Sequence, residues 1–318
     1  MKRQQHRKGS SKPALAVFGL GRMGSQIARR LDKKGFGVVA WNRSPDPVNE
    51  ASRSGIPASA DIAEAVAMLD GISSGPRIFW VMLPHAIFDE FVMGDGHLGA
   101  HLRKGDIVID GGNSFYKDSM RRAPILAKKG VHFFDCGTSG GIWGEKEGFA
   151  LMVGGDRSRW PLVEPIFKAL SSGDNFAYLG KAGAGHFVKM VHNGIEYGMM
   201  EAIGEGYAVL EASPFRLDLA AVTRVYQKGS VVRSWLIDLA RNIFENEDIS
   251  RTSGKIDATG EGEWTVKTAK ALGVDVRVIE DALAVRRESS SAKDQKKFSN
   301  KIVALLRKQF GGHAVHKR

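Results

Sequence analysis

Residues 183–198, GAGHFVKMVHNGIEYG, carry an amine, an amide and a carboxylic acid at helical spacing. At about 100° per residue, Lys189, Asn193 and Glu196 fall on one face of a helix, with Tyr197 on its flank. A lysine and a glutamate seven apart more often form a solvated face. Here Phe187, Val188, Met190, Val191 and Ile195 surround them, and the stripe is expected to be partly buried, with a base and an acid close to each other.

A second group is built to hold phosphates. Gly19, Leu20, Gly21, Arg22, Met23 and Gly24 spell G-x-G-x-x-G between a predicted strand and a predicted helix. In that context the first glycine allows a tight turn, the second lets a pyrophosphate approach the backbone, and the third lets helix and strand pack. Amides at the helix N-terminus then face the phosphates. The second strand ends at Trp41, where an NAD-selective site usually places an acid for the ribose 2′-hydroxyl; this chain has Asn42, Arg43 and Ser44. A guanidinium there pairs with a 2′-phosphate and Ser44 adds a hydroxyl, which favours NADP, although Asp46 tempers the preference and NAD stays open.

The 183–198 segment resembles the central helix of the 6-phosphogluconate dehydrogenase family. DGGNS at 110–114, TSGG at 138–141 and RKQFGGHAV at 307–315 resemble the same family in the same order. The resemblance covers nearly everything from Ala14 onward and is to the family's shorter form. It implies oxidative decarboxylation of 6-phospho-D-gluconate to ribulose 5-phosphate and CO2 in the pentose phosphate pathway, with NADP or NAD as oxidant and no metal. Lys189 would be the general base at the C3 hydroxyl and Glu196 the acid that protonates the enediol. A lysine must be neutral to serve as a base, and burial beside positive charge moves it that way. Asn113, Ser139, Gly140, Gly141 and Asn193 resemble the contacts to the sugar acid, with Asn113 also near the nicotinamide. The phosphate would fall to Tyr197, Arg286 and Arg307, with His313 closing the pocket; Arg307 and His313 would come from the second subunit of a homodimer. The chain departs from the longer members at 259–265, where Thr259 and Glu263 replace lysines, one of them a phosphate ligand.

These groups need a scaffold of two kinds. Apolar runs at 14–18, 38–41, 78–83, 107–109, 131–135 and 150–153 alternate with helical patterns that include one ending near Lys34, 61–69 and 118–129. That alternation predicts a Rossmann-type, doubly wound parallel sheet over 14–182. From 183 to 318 strand-like runs give way to helical spacing at 217–227, 234–245, 263–272, 276–285 and 292–310, an all-helical substrate-binding and dimerisation domain ending in a clamp tail. The 318 residues, 43% of them hydrophobic, suffice for two cores.

The formal net charge of +11 invites a nucleic-acid reading. Five of those charges, Lys2, Arg3, Arg7, Lys8 and Lys12, belong to a basic, disordered-looking leader over 1–13, and the +6 that remains suits an anionic substrate and cofactor. Neither nucleic acid nor membrane is expected as a partner. A single cysteine, Cys136, excludes an intramolecular disulfide and is read as a buried thiol; with no apolar run of spanning length, a cytoplasmic protein is expected. His186 and His192 are read as packing or hydrogen-bonding residues. The rival readings are a β-hydroxyacid dehydrogenase acting on a smaller acid, which DGGNS, the Glu196–Tyr197 pair and the Arg/His tail oppose, and a non-catalytic NADP-binding module.

Overall fold

The computed structural model describes residues 12–257 and 260–317. Most of the basic leader, and Thr259, lie outside these described residues. The chain parts into two compact units between Lys189 and Met190.

The first unit follows the order β1 (Ala14–Phe18), α1 (Arg22–Lys33), β2 (Gly37–Trp41), α2 (Pro45–Arg53), β3 (Ala58–Ser59), α3 (Ile62–Ile72), β4 (Ile78–Val81), α4 (His85–Met93), α5 (Leu98–His101) and β5 (Ile107–Asp110). It continues through α6 (Tyr116–Lys128), β6 (His132–Ser139), α7 (Gly144–Glu147), β7 (Phe149–Gly155), α8 (Trp160–Leu170) and β8 (Ser171–Gly180). The eight strands form one sheet in the order β3-β2-β1-β4-β5-β6-β7-β8. Every residue of β1 is apolar and buried, as a strand covered on both faces must be. Leu15 and Val17 join a core with Ile27 and Leu31 of α1, while Ala16 and Phe18 join the opposite core with Leu69 of α3 and Phe88 of α4. The doubly wound expectation therefore holds, and β1, flanked by β2 and β4, marks the switch point at which such sheets bind ligands.

Two features correct the sequence reading. The sheet is not parallel throughout: β7 runs antiparallel to β6, because the link between them is too short for a crossover. Strand β8 also went unforeseen, since its sequence SSGDNFAYLG is half-exposed and has no apolar run.

Helix α9 (Ala184–Glu211) begins in the first unit and continues in the second. The units part seven residues later than residue 182 because the first turns of α9 pack on β6 and β7. The Asp135 carboxylate on β6 accepts from the backbone amides of Gly183 and His186, both at 2.7 Å, and so satisfies the start of the helix. The second unit adds α10 (Leu219–Gln227), α11 (Trp235–Asn246), α12 (Glu261–Leu272), α13 (Arg277–Glu288) and α14 (Phe298–Gly311), an all-helical arrangement as expected. Asp218 and Ser234 cap α10 and α11. Helix α14 starts six residues later than its pattern suggested, because residues 294–296 turn as a 3-10 helix. Met200, Tyr207, Leu239, Ile243, Leu283, Ile302 and Leu306 form this unit's core. No described helix is long and apolar enough to cross a membrane.

Candidate active site

The glycine-rich turn is shaped as its spacing predicted. Gly19 has φ +99°, its amide donates to the Trp41 carbonyl at 2.8 Å, and a Cβ on it would lie 2.6 Å from the Met82 carbonyl oxygen. A Cβ on Gly24 would lie 1.9 Å from the Gly19 carbonyl oxygen, so only glycine lets α1 sit this close to the turn. Gly21, the N-cap of α1, faces open space, which leaves room for a pyrophosphate against the helix N-terminus. Leu20 donates its amide to Oδ1 of Asn42 at 3.0 Å, so Asn42 braces the turn. Arg22 and Arg43 are exposed, Met23 is half-buried, and Ser44 is the N-cap of α2. The residues present fit a dinucleotide. Sequence reasoning missed Met82 and Leu83, which pack between the Gly19 turn and the next one: a Cβ on Gly112 would lie 2.7 Å from the Leu83 carbonyl oxygen. Their signal was only the end of an apolar run.

The same unit brings DGGNS, TSGG and Lys189 to one corner. Asp110, at the end of β5, accepts from the Ser114 hydroxyl at 2.8 Å and from Arg122 at 2.9 Å, while its other oxygen accepts from the Gly112 amide at 3.2 Å. The imidazole of His186 donates through Nε2 to the Gly112 carbonyl at 3.1 Å, and its Nδ1 accepts from the Ser119 hydroxyl at 2.7 Å. His186 thus ties the turn that bears Asn113 to the start of α9, in keeping with a hydrogen-bonding role. Lys189 is buried against β6, where a Cβ on Gly137 would lie 2.3 Å from its own Cβ. Strand β6 then ends at Ser139, and Gly140 and Gly141 follow it at φ +130° and +55°. Burial pushes the Cys136 thiol far above its usual range, which leaves it protonated and without nucleophilic character.

In the second unit, Asn193 is buried and Glu196 half-buried. His192 donates through Nδ1 to Oδ1 of Asn193 at 3.0 Å and lies 3.9 Å from the Glu196 carboxylate. Tyr197 is buried beneath α12, where Gly262 brings the backbone close to the ring. The Arg286 guanidinium lies over that ring, 3.2 Å from its centre. Tyr197 Oη and Arg286 Nε and Nη2 are buried, and among the described residues they have no hydrogen-bond partner. Arg307 belongs to the same cluster. Burial, then the charge of Arg286, holds its pKa below the usual arginine range, while Tyr197, Asp257 and Glu196 raise it. Orphaned donors beside two buried cations describe an anion site.

Helix α14 carries Arg307 to Arg286 and Tyr197 of its own chain. The tail also folds back on its own unit: the His316 carbonyl accepts from the Ser253 amide, and the His313 ring lies 6.1 Å from that of Phe310. Sequence reasoning missed Glu201 and Glu261, both buried, because acidic residues on helices usually face water.

Residues 14–180 match the NAD-binding domain of 6-phosphogluconate dehydrogenase, and residues 185–316 match the C-terminal domain of 6-phosphogluconate dehydrogenase. A Bacillus subtilis protein provisionally named a 6-phosphogluconate dehydrogenase is 41% identical over 305 residues, covering 96% of this chain and 99% of its own. The NAD(+)-dependent, decarboxylating 6-phosphogluconate dehydrogenase of Haloferax volcanii is 38% identical over 308 residues, with 96% and 99% covered. The Plasmodium falciparum 6-phosphogluconate dehydrogenase, solved in complex with NADP+ and with 6-phosphogluconate, superposes with a TM-score of 0.75 at 28% identity over 87% of this chain and 62% of that one. A 3-hydroxyisobutyrate dehydrogenase from Salmonella typhimurium, with a TM-score of 0.73 at 19% identity, shares the fold.

Proposed function

The chain belongs to the 6-phosphogluconate dehydrogenase family of nicotinamide-dependent oxidoreductases, and we propose that Lys189 and Glu196 perform its decarboxylating oxidation of 6-phospho-D-gluconate to ribulose 5-phosphate. The observation that supports this substrate is the set of buried, orphaned donors on Tyr197 and Arg286 beside Arg307, which a phosphate dianion satisfies. A small unphosphorylated hydroxy acid would leave them unpaired.

The turn at Gly19, Gly21 and Gly24 and the Asn42–Ser44 segment hold the dinucleotide, and Asn113 lies on the turn fixed by His186. When bound, the dinucleotide supplies the oxidant, accepting hydride from C3 of the sugar acid. Lys189, as the neutral amine, takes the C3 hydroxyl proton, and the ammonium then lies beside the new carbonyl oxygen. Oxidation leaves a β-keto acid; the C1–C2 bond breaks, CO2 departs and its electron pair passes toward C3. Lys189 returns its proton to that oxygen as the enediol forms. Glu196, about two helical turns along α9, protonates the carbon that bore the carboxylate while Lys189, neutral again, takes the proton from the enediol oxygen, which leaves the ketone of ribulose 5-phosphate. Ser139, Gly140, Gly141 and Asn193 orient the sugar acid, and His313 closes the phosphate end.

The open end of β2 and the exposed Arg43 support NADP as the preferred cofactor. A homodimer is supported by exposed apolar side chains in the second unit, among them Phe215, Val225, Val231, Val232 and Trp235; light scattering after size exclusion tests it. The deciding experiment follows reduced nicotinamide by absorbance with 6-phosphogluconate and either cofactor. Turnover that Lys189→Met abolishes without weakening cofactor binding is the expected result. Turnover of 3-hydroxyisobutyrate or tartronate with none of 6-phosphogluconate would overturn the reading, and turnover with NAD alone would remove the role of Arg43.

A further inference from the structure

Glu201 lies one helical turn beyond Tyr197 on α9, is 5% exposed, and takes no part in the steps above. Neither carboxylate oxygen accepts a hydrogen bond from any described residue. The groups that face it are Arg286 from α13 and Glu205 from its own helix. Arg286, 2% exposed, is faced in turn by Tyr197 and Glu196 of α9 and by Glu261 of α12. Arg307 of α14 is faced by Arg286, Tyr197, Glu196 and Asp257. Two buried guanidinium groups therefore share this part of the unit with a buried carboxyl that forms no ion pair with either.

An ionised carboxylate in such a place is costly unless it is hydrogen-bonded, and it competes with any incoming anion for Arg286. Burial pushes the Glu201 carboxyl up to about 7; Arg286 draws it down and Glu205 raises it. Near neutral pH both of its forms are populated. A dianion beside Arg286 adds negative charge next to Glu201 and favours the neutral form, which also offers an O–H donor.

We propose that Glu201 couples phosphate recognition to proton uptake: the pocket takes a dianion together with one proton from solvent, which bonds to a Glu201 carboxylate oxygen. This rests on the Tyr197–Arg286 cluster being the phosphate site. Glu201 then determines specificity by making the affinity for the phosphorylated acid depend on pH, apart from the titration of Lys189 and Glu196.

The test compares KM for 6-phosphogluconate between pH 7 and pH 9 in wild type and Glu201→Gln, a range in which the phosphate ester stays dianionic. Wild-type KM should climb by up to about tenfold per pH unit, as loss of one linked proton requires, and E201Q should lose that slope. Arg286→Ala is run beside them. A KM unmoved by that change overturns the phosphate pocket itself, whereas a raised KM with parallel wild-type and E201Q profiles overturns only the proton coupling. A second measurement needs no variant. Sulfate, which carries no titrating proton near neutrality, is bound to the wild-type enzyme at about pH 8, where free Glu201 is mostly ionised, by calorimetry in two buffers of different ionisation enthalpy; uptake approaching one proton supports the coupling and zero uptake overturns it.

Discussion

The guanidinium of Arg286 stacks on the ring of Tyr197 at 3.2 Å, and the polar atoms of both that are left over, Nε, Nη2 and Oη, are buried without a partner among the described residues. The stacking fixes the plane of the guanidinium and leaves its donor edge for a ligand. Arg286→Ala should therefore raise KM for 6-phosphogluconate by about 10- to 100-fold, the equivalent of about 1.5–3 kcal/mol of charged hydrogen bonding. The effect on kcat should be smaller, because the phosphate is remote from the reacting carbons. Initial-rate kinetics read the split; a fall in kcat at constant KM would place Arg286 at the chemistry instead.

The two halves of the site differed in how far the sequence disclosed them. The Gly19–Gly24 turn and the Lys189, Asn193 and Glu196 stripe were legible because each follows a local period: a strand–turn–helix order, and a spacing of three or four on one helix. The anion cluster is assembled by tertiary packing of α9, α12, α13 and α14, and no period reports that. Arg286 and Arg307 were reached by resemblance, and Glu201 was not reached at all, since its burial depends on helices that start 60 or more residues away. The antiparallel turn of β7 was hidden for a related reason, because an apolar run looks the same in either direction.

Gly21 separates cofactor binding from folding. No atom lies within 4 Å of the place where its Cβ would be, so Gly21→Ala should lower the melting temperature only slightly, the N-cap preference for glycine over alanine being worth about 0.5–1 kcal/mol. The added methyl stands where the pyrophosphate must approach, and KM for the dinucleotide should rise at least about tenfold. Fluorescence titration with NADP checks the affinity and calorimetry checks the stability; unaltered cofactor binding would place the pyrophosphate elsewhere.

Gly137 is the opposite case. A Cβ there would come within 2.3 Å of the Lys189 Cβ and 3.1 Å of the Gly185 carbonyl oxygen, so the start of α9 must shift to admit it. Gly137→Ala should destabilise the protein by about 1–3 kcal/mol, the usual cost of overpacking. Because the shift moves the amine of Lys189 against the sugar acid, kcat should fall at least about tenfold even where the variant is fully folded, since small displacements of a positioned group are expensive. Rates measured well below the melting transition separate the two effects; normal kcat in a destabilised variant would show that Lys189 tolerates displacement.

The buried carboxyl of Glu201 also predicts a pH dependence of stability without any ligand. Its pKa in the folded chain is about 7 against 4.5 for the unperturbed group, raised chiefly by burial. The folded state therefore holds this proton more tightly than the unfolded state. The stabilisation is fully present below about pH 4.5 and is lost as pH rises through about 7, by up to about 3 kcal/mol. Glu201→Gln keeps the shape of the neutral acid and cannot ionise. Its stability relative to wild type should be near zero at pH 4.5, grow in its favour through neutrality, and reach a plateau above about pH 8. Asp89, Glu145 and Asp156, whose pKa values are lowered with arginine, lysine, serine and histidine partners offsetting burial, titrate in the acid range in both proteins and cancel in the difference. Calorimetric unfolding in buffers free of phosphate and sulfate reads this curve. A difference independent of pH would mean that Glu201 stays charged when buried, and that Arg286 compensates it more strongly than their lack of an ion pair implies.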